Sequence, residues 1–325
     1  VIGTAGSGKT QLAMAVFRDA LAAGRRPLYV CYNRPLADHI ALIAPHGGEV
    51  ATYHQLADRL CRARGEVPDF SRADAFARLE AALDAHRPTD AACFDELIVD
   101  EGQDFRSGWA DNLLRWLRPG GRAWWLEDPL QNLYERPPVA LPGWVTLRSD
   151  INYRSPQDIL ATLRPLLPLE HPIEAGSPLT GPEVDILTHA SPDELVSTSV
   201  HAVTRAIGLG FKRPHIALIS YRGREHSLLA PLARLGPYSL RAPTGRYDLL
   251  GNPILTDGDI LIDSVLRFKG RAAPCVILTE IDFEQLDDKA VRRLFVGATR
   301  ATMKLMLVVS ERSSAVLRAR LAAAS

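Results

Sequence analysis

The sequence predicts an α/β fold of two domains, each a mostly parallel sheet flanked by helices. Three observations predict it: a phosphate-loop pattern at the start, β-branched apolar runs alternating with helical periodicities, and a restart of that rhythm near residue 150. At 325 residues, with 46% hydrophobic and 23% charged positions, the chain has length for two cores rather than one. The expected division is 1–148 and 149–325.

The opening stretch VIGTAGSGKTQ satisfies G-x-x-x-x-G-K-[ST] over residues 3–10. Glycines in this pattern let backbone N–H groups converge on phosphate oxygens, the lysine reaches the β- and γ-phosphates, and the hydroxyl ligates Mg²⁺. Gly3, Thr4, Ala5, Gly6, Ser7, Gly8, Lys9, Thr10 and Gln11 are therefore candidate nucleotide-binding residues, with Thr10 also a metal ligand. Residues 11–22 keep apolar side chains at helical spacing, which aims a helix N-terminus at the bound anion. The chain begins without Met and with only Val1 and Ile2 before the loop, so the natural polypeptide is expected to extend upstream.

Strands are expected at 27–32, 96–100, 122–126 and 144–147, separated by helices such as 72–85 and 109–117. In the second half strands are expected at 184–188, 215–220, 259–265, 275–280 and 305–309, with helices at 191–209, 225–235 and 289–302. The Pro-rich 165–182 and the turn-rich 241–259 read as surface loops.

LIVDEGQDF ends a predicted buried strand in Asp100 and Glu101. A carboxylate at the carboxyl end of a sheet strand can hold Mg²⁺ opposite Thr10, and the adjacent Glu101 can act as general base on water. Two neighbouring acids with divided roles suit hydrolysis better than transfer to a bulky acceptor.

The 38 basic and 38 acidic residues cancel, so no global field draws the chain to nucleic acid or an anionic membrane, and any polyanion site must be local. Cys31, Cys61, Cys93 and Cys275 are scattered without a C-x-x-C pair, which predicts reduced thiols in a cytoplasmic setting and no zinc. No apolar run has membrane-spanning length, and H-E-x-x-H and G-x-S-x-G are absent.

GTAGSGKT with DEGQDF resembles the first two motifs of superfamily 1 helicases of the UvrD/Rep type, and further segments follow in that family's order. CYNRPLADHI and ATYHQLADRL look like its single-strand-contacting segments, and LEDPLQNLY is similar to its G-D-x-x-Q-x-I-Y motif. NYRS, SVLRFKGRAAPCVIL and LFVGATRA resemble motifs of the second motor domain. The resemblance runs from Gly3 to about Val309 and implies two RecA-like domains that hydrolyse ATP with Mg²⁺ and act on single-stranded DNA. By the same resemblance, Lys9, Glu101, Gln131, Arg154 and Arg300 are the catalytic set. Gln131 would sense the γ-phosphate, and Arg154 and Arg300 would serve as arginine fingers. Tyr153 would stack on adenine, and Thr10 and Asp100 would hold the metal. Because both fingers lie in the second half, hydrolysis would be coupled to closure of a cleft between the halves. Tyr32, Asn33, Arg34, Tyr53 and His54, which follow strand ends on the edge where family members hold the strand, and Arg136, in the place of the family's stacking residue, are the nucleic-acid contacts the resemblance implies. Arg222, Arg224 and His226 also follow a strand and read either as a phosphate grip or as a solvated basic turn.

Departures from the family pattern are equally legible. LYERPP places Arg136 or Pro137 where the family carries a base-stacking tryptophan, Gln11 stands for an adenine-packing arginine, and Ala272 for a ribose-contacting glutamate. The large helical insertions of full-size relatives have no room. Beside the helicase or translocase reading stand two others. One is a non-unwinding ATP switch serving an upstream domain of the same polypeptide, such as a nuclease in a DNA-repair or phage-defence protein. The other is a small-molecule phosphotransferase, disfavoured by the paired arginines and by Gln131.

Overall fold

The computed structural model describes residues 1–167, 173–181, 183–247 and 253–322. The chain forms two compact units, Val1–Gly3 with Gly8–Ser149, and Thr4–Ser7 with Asp150–Ser325.

In the first unit β1 (Ile2–Gly3) leads through the phosphate-loop segment to α1 (Lys9–Ala22), followed by β2 (Pro27–Cys31), α2 (Arg34–Ile43), β3 (Glu49–Thr52), α3 (Tyr53–Ala63) and α4 (Ala75–Ala85). β4 (Phe94–Val99), α5 (Ser107–Leu114), β5 (Leu117–Trp125) and β6 (Arg148–Ser149) complete it. The sheet runs β3-β2-β4-β5 with every pairing parallel. Its strands read as continuous apolar runs because both faces are covered. Leu28 and Val30 pack with Leu56, Leu97, Trp109 and Trp125 on one side. The alternate residues Tyr29 and Cys31 pack with Phe17, Leu36, Ile40 and Ile98 on the other. Side-chain caps fix where the helices begin: Asn33 Oδ1 accepts the Leu36 N–H, and Thr52 forms a capping box with Gln55.

The second unit contains β7 (Ile151–Asn152), α6 (Gln157–Leu163), β8 (Glu174–Ala175), β9 (Asp185–His189), α7 (Pro192–Gly208), β10 (Ile216–Ser220), β11 (Arg234–Leu235) and β12 (Tyr238–Arg241). Then come β13 (Pro243–Tyr247), β14 (Pro253–Leu255), β15 (Ile260–Ser264), α8 (Val265–Phe268), β16 (Ala273–Ile281), α9 (Asp288–Ala298), β17 (Ala301–Ser310) and α10 (Glu311–Ala322). The main sheet has the order β11-β12-β15-β10-β16-β17-β9 and is parallel except for β11 against β12. α7 buries Leu195, Ala202, Val203 and Ala206 against Leu218, Ile262, Ile277 and Val308 on one face. α9 lies close on the other: a Cβ at Gly297 would come within 2.7 Å of the Leu278 side chain, so only glycine permits that approach. The expected α/β class with mostly parallel sheets flanked by helices is thus borne out.

Four local expectations are corrected. Residues 144–147 form no strand: Val145 and Leu147 are exposed, so their β propensity meets no packing, and only Arg148–Ser149 pair, with the two-residue β1. Residues 225–235 form turns ending in β11, because the Ser227 hydroxyl accepts the Leu229 and Ala230 N–H groups and Pro231 has no N–H to continue a helix. The expected loop 165–182 contains β8, paired in parallel with β7. The expected loop 241–259 contains the antiparallel pair β13 and β14. Of those two loops, residues 168–172, 182 and 248–252 lie outside the described residues.

Candidate active site and aromatic cluster

The carboxyl ends of β4 and β5 and the start of α1 gather the polar residues of the first unit. Lys9 Nζ donates to the Gly3 carbonyl at 2.7 Å and lies 3.8 Å from Asp128 Oδ2. The Thr10 hydroxyl donates to Asp100 Oδ2 at 3.3 Å, and the Tyr29 hydroxyl donates to the same oxygen at 2.8 Å. Glu101 has φ 55, a left-handed conformation costly for a side chain with a Cβ, and its N–H donates to Asp100 Oδ1 at 2.9 Å. The Glu101 carboxylate accepts from Gln103 Nε2, while Gln103 Oε1 accepts the Asp128 N–H at 2.9 Å. Gln131 Nε2 donates to Asp128 Oδ2 at 2.6 Å. Lys9, Asp100, Glu101, Asp128 and Gln131 are all buried, so their polar atoms depend on these partners.

Asp128 links Lys9, Gln103 and Gln131, and the sequence reading did not single it out. Its signal was present: an acid at the end of β5, three residues before Gln131. Tyr29 was missed as well, because a tyrosine in a wholly buried strand reads as core until its hydroxyl is seen on Asp100.

Burial, and next to it the Glu101 charge, push the Asp100 carboxyl up to about 6, with the Tyr29 hydrogen bond and Lys9 opposing. Two buried carboxylates side by side are costly without a compensating cation, and Thr10 with Asp100 offers the hard oxygen donors that Mg²⁺ takes. The loop backbone suits a phosphate too. Gly6 and Gly8 have φ 71 and 89, and Ser7 Oγ is buried with no hydrogen-bond partner among the described residues. The residues present therefore fit a Mg²⁺-nucleotide.

A second group forms where β2 and β3 end. Tyr53 is fully buried, its ring 4.5 Å from Trp109 in a stacked arrangement and its hydroxyl accepting from Asn112. Tyr32 stacks on Trp109 at 5.7 Å and meets Tyr134 edge-on at 5.0 Å. The Arg136 guanidinium lies over three rings, 4.4 Å from the Tyr32 centroid, 4.7 Å from that of buried Trp109 and 5.1 Å from that of Tyr134, with Nη1 donating to the Asp104 carbonyl. His54 contacts Glu80 at 3.2 Å, yet burial holds its pKa below the usual value and favours the neutral ring at pH 7. Asn33 caps α2, and Arg34 pairs with Asp38 at 2.5 Å. Trp125 belongs to the core.

In the second unit Asn152 Oδ1 accepts the N–H groups of Arg154 and Ser155, both at 2.8 Å, a turn that presents Tyr153 with 57% of its surface exposed. Arg300 is buried, its Nε donating to the Val296 carbonyl at 2.9 Å and Nη2 to the Thr299 hydroxyl at 3.2 Å. β15, α8, β16, α9 and β17 form a continuous βαβαβ succession in which the three strands run parallel.

Residues 259–308 match the UvrD-like helicase C-terminal domain. Over this UvrD-like segment the resemblance to superfamily 1 helicases read from the sequence is supported. A comparison with curated proteins gives no match. Among solved structures, arterivirus nonstructural protein 10, a helicase, aligns at 13% identity and TM-score 0.43, covering 98% of this chain and 61% of that one. The same helicase in complex with DNA aligns at 14% identity and TM-score 0.43, covering 98% and 62%. The C-terminal domain of a possible DNA helicase from Lactobacillus plantarum WCFS1 aligns at 18% identity and TM-score 0.38, covering 52% of this chain and 93% of that one. The chain thus spans about three fifths of the arterivirus protein's length. No described helix is long and apolar enough to cross a membrane.

Proposed function

We propose that this chain is the ATP-hydrolysing motor core of a UvrD/Rep-type DNA helicase or single-stranded DNA translocase, with 1–148 and 149–325 as its two RecA-like domains. A cytoplasmic setting and an upstream domain of the same polypeptide belong to the same proposal. The observation that carries it is the hydrogen-bonded set in the first unit, in which Lys9, Thr10, Asp100, Glu101 and Gln131 are joined through Asp128 and Gln103.

Bound Mg²⁺-ATP supplies an electrophilic γ-phosphoryl group to this site. Lys9 exchanges the Gly3 carbonyl for phosphate oxygens, and the loop amides of residues 3–10 cradle the remaining negative charge. Thr10 and Asp100 would hold Mg²⁺, which would supply Lewis-acid neutralisation of the phosphate charge. Glu101, fixed by Gln103, accepts a proton from the attacking water, and Gln131, tethered by Asp128, orients that water. Arg154 and Arg300 contribute guanidinium charge to the transferring group, a term worth roughly 10³-fold or more in rate where it operates. Tyr153 stacks on adenine. Tyr32, Asn33, Arg34, Tyr53, His54 and Arg136 mark the strand ends along which nucleic acid lies.

The test is ATP turnover by the intact protein with single-stranded DNA, duplex and RNA compared. Turnover is expected to rise severalfold with single-stranded DNA and to vanish in Lys9→Ala; a flat response to every nucleic acid would overturn the motor reading. One observation favours the non-unwinding switch as a second reading: Arg136 covers the rings that bases would otherwise stack upon. Strand displacement by the wild-type protein would exclude it.

A further inference from the structure

Tyr29 is the middle residue of β2, which lies inside its sheet between β3 and β4. The register sets it beside Ile98, and the Asp100 N–H continues the ladder onto the Val30 carbonyl at 2.9 Å. Side chains alternate along a strand, so Tyr29, Cys31, Ile98 and Asp100 share one face. α1 covers that face with Ala13, Met14 and Phe17, which brings Thr10, in its first turn, to Asp100.

A buried tyrosine hydroxyl needs a partner, and a backbone carbonyl would serve. The Tyr29 ring is fully buried, yet its hydroxyl reaches a carboxylate instead, donating to Asp100 Oδ2 at 2.8 Å. Three donors hold that carboxylate. The Glu101 N–H donates to Oδ1 at 2.9 Å, and Oδ2 accepts from Tyr29 and, at 3.3 Å, from Thr10. The two bonds on Oδ2 are unequal. That from Tyr29 is shorter, and its ring is fixed by packing among Phe17, Leu36 and Ile40. A carboxylate oxygen has two lone pairs. When Thr10 gives its oxygen to a cation, the position it filled on Oδ2 opens toward the same cation, while Tyr29 keeps the other.

We infer that Tyr29 is a positioning residue for the metal site: its hydroxyl fixes the Asp100 carboxylate in the orientation that a hard divalent cation shares with Thr10, before nucleotide arrives. The inference rests on the proposed function for the role of Thr10 and Asp100 as metal ligands. A donor behind a liganding carboxylate removes its rotational freedom, and losing such a partner weakens metal binding about 10- to 100-fold. A tyrosine that only fills the core would lose stability, not metal affinity, with its hydroxyl.

The experiment titrates Mn²⁺, an oxygen-preferring divalent probe, into the full chain in excess over ADP and reads free Mn²⁺ by electron paramagnetic resonance. The Mg²⁺ dependence of ATP turnover is measured beside it. Tyr29→Phe removes one oxygen atom and keeps the ring in its packing. It is expected to weaken Mn²⁺ binding about 10-fold and to raise the half-saturating Mg²⁺ by the same factor, with KM for ATP at saturating Mg²⁺ unchanged. Asp100→Asn and the double variant complete a cycle. Because Tyr29 acts through the Asp100 carboxylate, Tyr29→Phe is expected to change the remaining Mn²⁺ affinity by less than about twofold once that carboxylate is gone. Phe17→Leu, which loosens the packing around the ring, is expected to lower the melting temperature and leave Mn²⁺ affinity as in the wild type. Wild-type Mn²⁺ affinity in Tyr29→Phe, an equal loss in both backgrounds, or a matching loss in Phe17→Leu would overturn the inference and leave the proposed function in place. A wild-type protein that neither binds Mn²⁺ with ADP nor hydrolyses ATP would remove the proposed function together with it.

Discussion

Both units present the carboxyl edge of a parallel sheet, and the two edges carry opposite chemistry. In the first, the strand ends supply acids, Asp100, Glu101 and Asp128, each bonded to a named donor. In the second, they supply arginines beside Asp263, and the buried Nε of Arg241 and of Arg267 have no hydrogen-bond partner among the described residues, Arg267 Nε lying 3.5 Å from Asp263. The same backbone architecture thus yields a closed network around acids at one edge and, at the other, arginines of which two keep a buried Nε without a hydrogen bond among the described residues. The difference lies only in which residues follow the strands, because the sheet fixes positions and the loops fix chemistry.

The largest effect that sharpens this contrast is at Glu101. Glu101→Gln keeps the size and the contact with Gln103 while removing the basic oxygen, so turnover is expected to fall about 10²- to 10⁴-fold, with the melting temperature little changed. An active Glu101→Gln protein would show that the first edge's acids are structural. Asp128→Ala probes positioning rather than proton transfer: it frees Gln131 and removes a neighbour of Lys9. A loss of about 10²-fold is expected, mostly in kcat, whereas a simple weakening of nucleotide binding would appear in KM.

An intermediate effect comes from Arg136, the arginine that the first edge satisfies by itself. It rests on Tyr32, Trp109 and Tyr134 and is held to Asn132 by two hydrogen bonds, of 2.7 and 3.1 Å, through its backbone. Arg136→Ala is expected to lower stability by about 1–2 kcal/mol in chemical denaturation. A neutral result would mean that the rings lose nothing when uncovered, and the contrast with the second edge's arginines, two of which have a buried Nε without a hydrogen bond among the described residues, would weaken.

Much of the first edge was legible in the sequence because its signals are contiguous. The phosphate loop occupies residues 3–10, and Asp100 and Glu101 close an apolar strand that is continuous because it is buried on both faces. The role of Asp128 was not legible, since its partners Lys9, Gln103 and Gln131 come from three segments that only the β4-β5 pairing and the α1 start bring together. The arginine group was less legible still. Residues 224, 241, 263, 267 and 271 meet because β12, β15 and β10 are neighbours, an order that does not follow the chain. The mistaken helix at 225–235 has a local cause: helical spacing of apolar residues was outweighed by Pro231 and the Ser227 turn. Burial also altered the look of the aromatic residues, for Tyr53 proved to be core while Arg136 took the rings' outer faces.

The smallest expected effect tests whether the acids of the second edge are structural where those of the first are chemical. Asp282, just beyond β16, accepts from Arg312 at 2.7 and 2.8 Å, from the Ser310 hydroxyl at 2.8 Å and from Arg222 at 2.7 Å. Arg312 foremost, then Ser310 and Arg222, hold its carboxyl well below the usual carboxylate range. A depressed folded-state pKa means that the stabilisation is complete above the unfolded value of about 4 and is lost as pH falls below it. Asp282→Asn is therefore expected to cost about 1 kcal/mol at neutral pH, a modest figure because the Arg312 side is solvent-screened. The gap to wild type should stay constant between pH 7 and about 5 and shrink below about 4 as the wild-type carboxyl protonates. A gap that instead widened on acidification would mean that Asp282 binds its proton more readily folded than unfolded, and the arginines around it would then be holding something other than its charge.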